Sequence, residues 1–322
     1  MQQTQLATNK LGSTGLDITA IGFGAWAIGG GGWEAGWGPQ DDRESVAAIH
    51  RALEHGINWI DTAAAYGFGH SEEIVGRVLK QLSERDRPLV FTKASLLEGP
   101  GRRIVHNLTR DSILRETEAS LRRLGIDALD LYQIHWPTPE DDIEEAWATF
   151  AALKDEGLVR HIGVSNFDVG QLRRIEQIAP VETLQPQYSL IERDVESDIL
   201  PFAEREGTGV IVYSPMGSGL LTGAMSRERI AGLADDDWRK HDARFREPQL
   251  SEHLAAATRV TAVAERLGVS PGAVAIAWTL RNPAVDGAIV GLRRPAQVDD
   301  LAVAATLEIS DEDAAELEGR QP

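Results

Sequence analysis

Residues 21–40 read IGFGAWAIGGGGWEAGWGPQ, and two folds compete for them. The spacing Gly22-x-Gly24-x-x-Ala27 at the end of an apolar run, with Asp41 and Asp42 further on, matches the dinucleotide fingerprint of a doubly wound fold. That fingerprint works by aiming a helix N-terminus at a pyrophosphate, so a helix must follow the glycines directly. Four successive glycines and two tryptophans follow instead, and they cannot build that helix. A phosphate-cradling P-loop fails too, because no Gly-Lys-Ser/Thr comes next. The stretch is therefore read as a strand over 20–26 that runs into a long loop. Trp33 and Trp37 on that loop either line an apolar cleft or pack against neighbouring loops.

Working outward, the same strand-like run recurs along the chain. Apolar runs cover 57–62, 88–93, 128–136, 159–166, 182–187, 209–215 and 287–291. Between them lie stretches with apolar residues three and four apart, such as 43–56, 109–125 and 144–157, each ending in Gly. Ser71 before Glu72 and Glu73, and Thr109 before Arg110 and Asp111, carry helix-capping chemistry. Eight strands, each followed by a helix, predict an α/β (β/α)8 TIM barrel rather than an open parallel sheet. The polar ends of the runs favour the barrel, since barrel chemistry collects at the C-terminal ends of several strands. Here Asp61, Lys93, His135, Ser165–Asn166, Gln187 and Tyr213–Ser214 end six successive runs. KLGSTGLDIT (10–19) predicts an N-terminal β-hairpin with Gly15 in its turn. SDEDAAELEG (310–319) predicts an extra C-terminal helix. With no internal repeat or low-complexity linker, residues 1–322 are expected to form one barrel domain.

Bulk properties narrow the function classes. The net charge of −18 repels nucleic acid and anionic membrane surfaces, so neither is expected as a partner. The chain has no cysteine, which excludes disulfides, thiolate metal sites and cysteine nucleophiles. No apolar signal-peptide core opens the chain and no run of about 18 apolar residues interrupts it, so a soluble, cytoplasmic protein is expected. A metal-dependent barrel hydrolase would need clustered ligands such as His-x-His. His50 and His55 instead sit on a predicted helix away from the strand ends, and no metal is expected.

One reaction that the strand ends can serve is a nicotinamide-dependent carbonyl reduction. Reducing a carbonyl with a nicotinamide delivers hydride to carbon and needs a proton for oxygen. A tyrosine can give that proton if a neighbouring ammonium lowers its pKa. A carboxylate can hold the ammonium, and an imidazole can orient the carbonyl. Asp61, Tyr66 just past the same strand, Lys93 and His135 supply that set. Lys93 is one of only five lysines in the chain, so a lysine ending an apolar strand stands out. Singly, Asp61 reads as a cap and His135 as a satisfied core histidine. The set is more informative than its members.

DTAAAYGFGHSEEIVG (61–76) resembles the aldo-keto reductase signature. FTK, LDLYQIHWP, LKDEGLVRHIGVSNF, LQPQYSLIER and YSPMGSGLLTG follow in family order, over residues 10 to 318. The resemblance is closest to the bacterial general-stress and inositol-operon branch. It implies a (β/α)8 barrel that binds NADP(H) extended and a cytoplasmic oxidoreductase that reduces aldehydes or ketones, sugar-derived ones included. By resemblance, Tyr66 is the proton donor and acceptor, Lys93 lowers its pKa, Asp61 pairs with Lys93 and His135 positions the carbonyl. Ser165, Asn166 and Gln187 would bind the carboxamide, and Tyr213 would stack on the nicotinamide. Ser214, Pro215, Met216, Gly217, Ser218, Gly219, Leu220 and Leu221 would wrap the pyrophosphate. Gly24, Trp26 and Gly291 would border the cofactor. Arg293 would read the 2′-phosphate, helped by Arg294, with Gln297 and Asp300 as the next contacts. Leu301 departs from the family, which often places asparagine there against adenine.

A small-molecule carbonyl or alcohol is the expected partner, and the oligomeric state is left open. The pocket is expected from Trp26, Trp33, Trp37, Phe68, Trp136 and Trp238, which suit apolar aldehydes and sugar rings alike. Residues 232–249 are expected either to cover the cofactor as a lid or to form a disordered loop. The alternative function is an NADPH-binding, redox-sensing regulatory subunit with little turnover.

Overall fold

The computed structural model describes residues 6–320. Strands β1 (Thr8–Lys10) and β2 (Asp17–Thr19) pair antiparallel, with Gly15 at φ 79° in the connection. Then come β3 (Ile21–Gly24), α1 (Asp42–Glu54), β4 (Trp59–Asp61), α2 (His70–Leu79) and β5 (Leu89–Ala94). A hairpin absent from the sequence reading follows, β6 (Leu96–Glu98) with β7 (Ile104–His106). The alternation resumes with α3 (Arg110–Leu124), β8 (Leu129–Ile134), α4 (Ile143–Asp155), β9 (Val159–Ser165), α5 (Val169–Ile175) and β10 (Thr183–Gln185). Next are α6 (Ile199–Glu206), β11 (Gly209–Val212), α7 (Arg227–Ala231), α8 (Gln249–Leu267) and α9 (Pro271–Thr279). β12 (Gly287–Gly291), α10 (Pro295–Leu301) and α11 (Asp311–Leu317) complete the order.

Strands β3, β4, β5, β8, β9, β10, β11 and β12 close on themselves as a parallel barrel, with β12 paired to β3. All eight strand-like runs are barrel strands, and closure removes the open-sheet alternative. The N-terminal hairpin plugs the bottom. Leu11 and Ile18 pack there on Trp59, Phe91, Leu131, Ile211 and Ile289, all buried inside the barrel. The Trp59 indole N–H donates to the Thr19 carbonyl at 2.9 Å. Cutting this side chain to alanine would cost about 3–5 kcal/mol.

The glycines of 21–40 now have a structural cause. A Cβ on Gly22 would lie 2.2 Å from the Trp59 ring, and one on Gly24 would lie 2.8 Å from Ile289. They are glycines because other groups press on the strand. Asp41 is the N-cap of α1, accepting the Arg43 N–H at 2.7 Å.

Two capping expectations need correction. α2 starts at His70 after Gly69, so Ser71 lies inside the helix, and its hydroxyl donates to the Ala25 carbonyl instead. Thr109 stands at the N-cap of α3, but its hydroxyl binds the Asn107 carboxamide and caps nothing. Among the described residues no single helix is long and apolar enough to cross a membrane.

Candidate active site

Side chains on one face of a strand recur every second residue. The residue two beyond each plug residue therefore points along the same axis, nearer the C-terminal mouth. Trp59 gives way to Asp61, Phe91 to Lys93, Leu131 to Gln133, Ile211 to Tyr213 and Ile289 to Gly291. Within two residues the barrel interior passes from an apolar plug to a polar floor. A cavity of about 530 Å³ opens above it.

Lys93 lies at the centre of that floor, 1% exposed. Its ammonium donates to Asp61 Oδ1 at 2.5 Å, to the Thr62 carbonyl at 2.9 Å and to the Tyr66 hydroxyl at 3.4 Å. Asp61 Oδ2 accepts from Gln185 Nε2 at 2.8 Å. A buried ion pair is stable only when its remaining lone pairs and protons are satisfied, and here Thr62 and Gln185 do that. Tyr66 reaches the floor because Gly67 and Gly69, at φ 65° and 101°, turn the chain directly after it. The His135 ring stands edge-on to Tyr66, centroids 5.7 Å apart. The four residues expected from the strand ends are thus brought together.

Their electrostatics are set first by burial. Burial pushes the Tyr66 phenol well above its ordinary pKa, and the charge of Asp61 adds to the rise. The Lys93 ammonium lies 3.4 Å from the hydroxyl, with the Asp61 carboxylate on its other side. Tyr66 is held as a neutral phenol with its proton in place. Burial also raises the Asp61 carboxyl and lowers the Lys93 ammonium, while each partner's charge acts in the opposite sense. Burial, with Lys93 and His106 nearby, drives His135 well below its ordinary value. It is a neutral imidazole, able to donate one hydrogen bond.

The far arm of the cavity is built differently. Asn166, at φ 63°, spans three groups: its Nδ2 donates to the His135 carbonyl and the Ser165 hydroxyl, and its Oδ1 accepts from Tyr213. Ser214 and Ser218 have φ of 56° and 53°, and Gly217 and Gly219 of 56° and 97°, so this turn winds left-handed beside the cavity. Pro215, Met216 and Gly219 line it, as do Gly24, Trp26 and Gly291. Gln187 Nε2 and Ser218 Oγ line the cavity and are buried without a protein partner. Such donors and left-handed backbone suit a polar, phosphate-bearing cofactor.

Arg293 is half-buried at the end of this arm. Its guanidinium donates to the Pro39 carbonyl at 2.6 Å and to Gln40 Oε1 at 2.7 Å. Among the described residues it forms no ion pair. Gln297 lines the same arm and accepts the Arg293 backbone N–H at 2.9 Å.

Four expected cofactor residues do not reach the cavity, and one of them, Leu221, is buried in the main core. Leu220 is buried in an apolar cluster with Met225, Phe245 and Leu250. Gly217 faces Ile191, and Asp300 is exposed on α10. Leu301 packs in the core against Gly272.

Gln133 and Gln185 were missed, although the two-residue column from Leu131 to Gln133 was available as a signal. Arg229, Arg239 and Arg244 also line the cavity and were missed. Residues 232–249, expected as a lid or a disordered loop, form short 3-10 turns at Trp238–Lys240 and Ala243–Phe245. Trp238 stacks on Trp26 at 5.3 Å, and Trp26 stacks on Tyr66 at 6.2 Å. Of the expected pocket aromatics, Trp26, Trp33, Trp37 and Trp136 line the cavity with Leu96 and Ile104. Phe68 and Trp238 stand behind Trp33 and Trp26. No group of three acidic or histidine side chains among the described residues is placed to hold a metal ion.

Comparison with known proteins gives consistent results. The family model "Aldo/keto reductase family" matches residues 20–320. The aldo-keto reductase YhdN of Bacillus subtilis is 39% identical over 308 residues, covering 95% of this chain and 91% of that protein. The NADH-specific methylglyoxal reductase of Escherichia coli is 34% identical over 317 residues, 94% and 95% of the two chains. The structure of the glycerol dehydrogenase AKR11B4 from Gluconobacter oxydans superposes with a TM-score of 0.85 at 36% identity, covering 99% of this chain and 95% of that one.

Proposed function

The chain belongs to the aldo/keto reductase family, and from that premise we propose that it reduces aldehydes or ketones to alcohols with NADPH, Tyr66 protonating the oxygen. The observation that carries this reading is the Lys93 ammonium between the Asp61 carboxylate and the Tyr66 hydroxyl, at the floor of a cavity that His135 also lines. When bound, a dihydronicotinamide would supply the hydride for the carbonyl carbon. As the C=O electron pair moves to oxygen, Tyr66 gives up its phenolic proton to it. The phenolate left behind faces the Lys93 ammonium, which stabilises it. Asp61 keeps that ammonium charged and aimed, and the neutral imidazole of His135 donates to the carbonyl oxygen and orients it.

Gln187 and Ser218, with the turn at 214–219, are the groups that would hold the carboxamide and pyrophosphate. The preference for NADPH over NADH rests on Arg293. Arg239 and Arg244 are paired with Asp237 and Asp242, at 2.6 Å and 2.9 Å. Arg293 is braced only by neutral acceptors, so its charge is available to a phosphate. The wall of Trp33, Leu96, Ile104 and Trp136 suits a carbonyl with an apolar body.

Titration with NADPH and NADH by tryptophan fluorescence, followed by NADPH absorbance with a panel of aldehydes and keto-sugars, tests the reading. Tighter NADPH binding with turnover is expected. Tight binding without turnover on any carbonyl would favour a regulatory cofactor-binding subunit, and absence of binding would overturn the cofactor assignment.

A further inference from the structure

Behind the floor, between the barrel and its outer helices, lies a second polar layer that the reaction does not use directly. α2 and α3 pack on each other closely: a Cβ on Gly76 would lie 2.2 Å from the Arg123 carbonyl oxygen. From these two helices three buried polar side chains reach inward to strand ends. The Ser71 hydroxyl donates to the Ala25 carbonyl after β3 and shares a hydrogen bond with Thr62 after β4, both 2.9 Å. Glu72 is fully buried; it accepts from the Thr92 hydroxyl of β5 at 2.6 Å and is paired with Arg123 at 2.6 Å. Glu116, 6% exposed, accepts the Ser95 N–H at 3.0 Å and the Ser112 hydroxyl at 3.1 Å.

Ser95 is the corner that matters. It is not a glycine, yet its φ is 94°, a conformation that L side chains keep only where the surroundings impose it. One residue earlier, the Ala94 carbonyl accepts the His135 N–H at 3.0 Å. The Ser95 hydroxyl accepts the Trp136 N–H at 3.4 Å, and its carbonyl accepts the Asn107 N–H at 2.9 Å, closing the β6–β7 hairpin. A single strained residue thus joins the strand of Lys93, the segment of His135 and the hairpin whose Leu96 and Ile104 line the cavity. The group that holds its N–H is the Glu116 carboxylate.

We infer that Glu116, on the outer side of the barrel wall, is a positioning residue that locks the Ser95 corner and through it sets Lys93, His135 and the substrate wall. This rests on the reductase reading above. Packing alone does not explain a carboxylate at this position. Burial pushes its carboxyl up to about 7, so it sits where a leucine would pack without that burden. What the carboxylate adds is an acceptor for a backbone N–H that the left-handed turn at Ser95 leaves without a ladder partner.

Glu116→Leu and Glu116→Gln test the inference through steady-state kinetics, NADPH binding, and amide hydrogen exchange of the cofactor-free protein at residues 94–96 and 135–136. E116L is expected to lower kcat by about 10- to 100-fold, the scale of an ångström misplacement. NADPH affinity should stay within about twofold, and exchange protection at Ser95 and Trp136 should be lost. E116Q keeps a carbonyl for the Ser95 N–H and should hold kcat and protection close to the parent values. If E116L fails to fold, Glu116→Met carries the test: it also removes the acceptor of the Ser95 N–H and should lower kcat at least about threefold. Unchanged kcat and protection in the folded E116L, or in E116M, would overturn the inference. Should the parent protein turn over no carbonyl, the reductase reading fails separately, and the exchange data at the two segments still decide the clamp.

Discussion

Lys93 is buried and Arg293 half-buried, and the two ends of the cavity treat their cations in opposite ways. Lys93 is fully enclosed and faces a carboxylate, a carbonyl and a phenol, with a second layer of buried side chains behind its strand. Arg293 faces only carbonyls and an amide, at the end of an arm built from left-handed turns and loop residues. The first arrangement is neutralised and fixed before any ligand arrives, which suits a group whose geometry must be right in the transition state. The second keeps its charge and leaves donors such as Gln187 Nε2 unpartnered, which suits a place where a ligand completes the hydrogen bonding.

That contrast can be broken or sharpened by mutation. Tyr66→Phe should have the largest effect. It keeps the ring that packs against Trp26 and removes only the hydroxyl that carries the proton, so turnover should fall by about 10³-fold or more with NADPH affinity unchanged. Parallel loss of affinity, seen by fluorescence titration, would mean that the floor is not preset.

Next is Glu116→Gln, read as stability. The Glu116 carboxyl binds its proton more tightly folded, at about 7, than unfolded. Between the ordinary carboxylate value and about 7 the folded state therefore holds more protons, and stability falls as pH rises through that window. E116Q lacks this titration. Its advantage over the parent in urea unfolding should grow by roughly 2 kcal/mol from about pH 5 to about pH 8. A constant difference would show that Glu116 is not titrating there.

On the other arm, Arg293→Ala should weaken NADPH by about 10- to 100-fold and NADH much less, the scale of one charge-assisted contact. Equal weakening of both would remove Arg293 from recognition of the 2′-phosphate. Gln40→Ala should have the smallest effect. Gln40 accepts the Arg293 Nε–H and donates to its carbonyl, at 2.7 Å and 3.0 Å. Losing that brace should cost NADPH affinity about fivefold, the equivalent of about 1 kcal/mol. A larger loss than in R293A itself would make the loop, rather than the guanidinium, the binding element.

The same contrast separates what was legible in the sequence from what was not. Asp61, Lys93 and His135 end strands whose apolar runs announce them, so their convergence follows from barrel geometry alone. Gln185 was overlooked because Gln187, two residues on, ends the same run more visibly, although both lie on the same face. Arg239 and Arg244 gave no signal. Each has an aspartate two residues before it, and such a pattern reads as solvated surface until the loop is seen packed on Trp26 and Trp37. Ser71 and Thr109 show the limit of capping rules: one is claimed by a tertiary contact and the other by its own turn. The left-handed Ser95 was equally hidden, since nothing local in FTKASLL favours φ 94° there.

The central claim is that the preset floor accepts a carbonyl to which NADPH delivers hydride. It is tested most directly by incubating the protein with NADPH deuterated at C4 and a reactive aldehyde, then locating the label. The account predicts deuterium on the carbinol carbon of the alcohol product, and none in the Y66F protein. NADPH bound tightly by the parent protein with no label in any alcohol would contradict it.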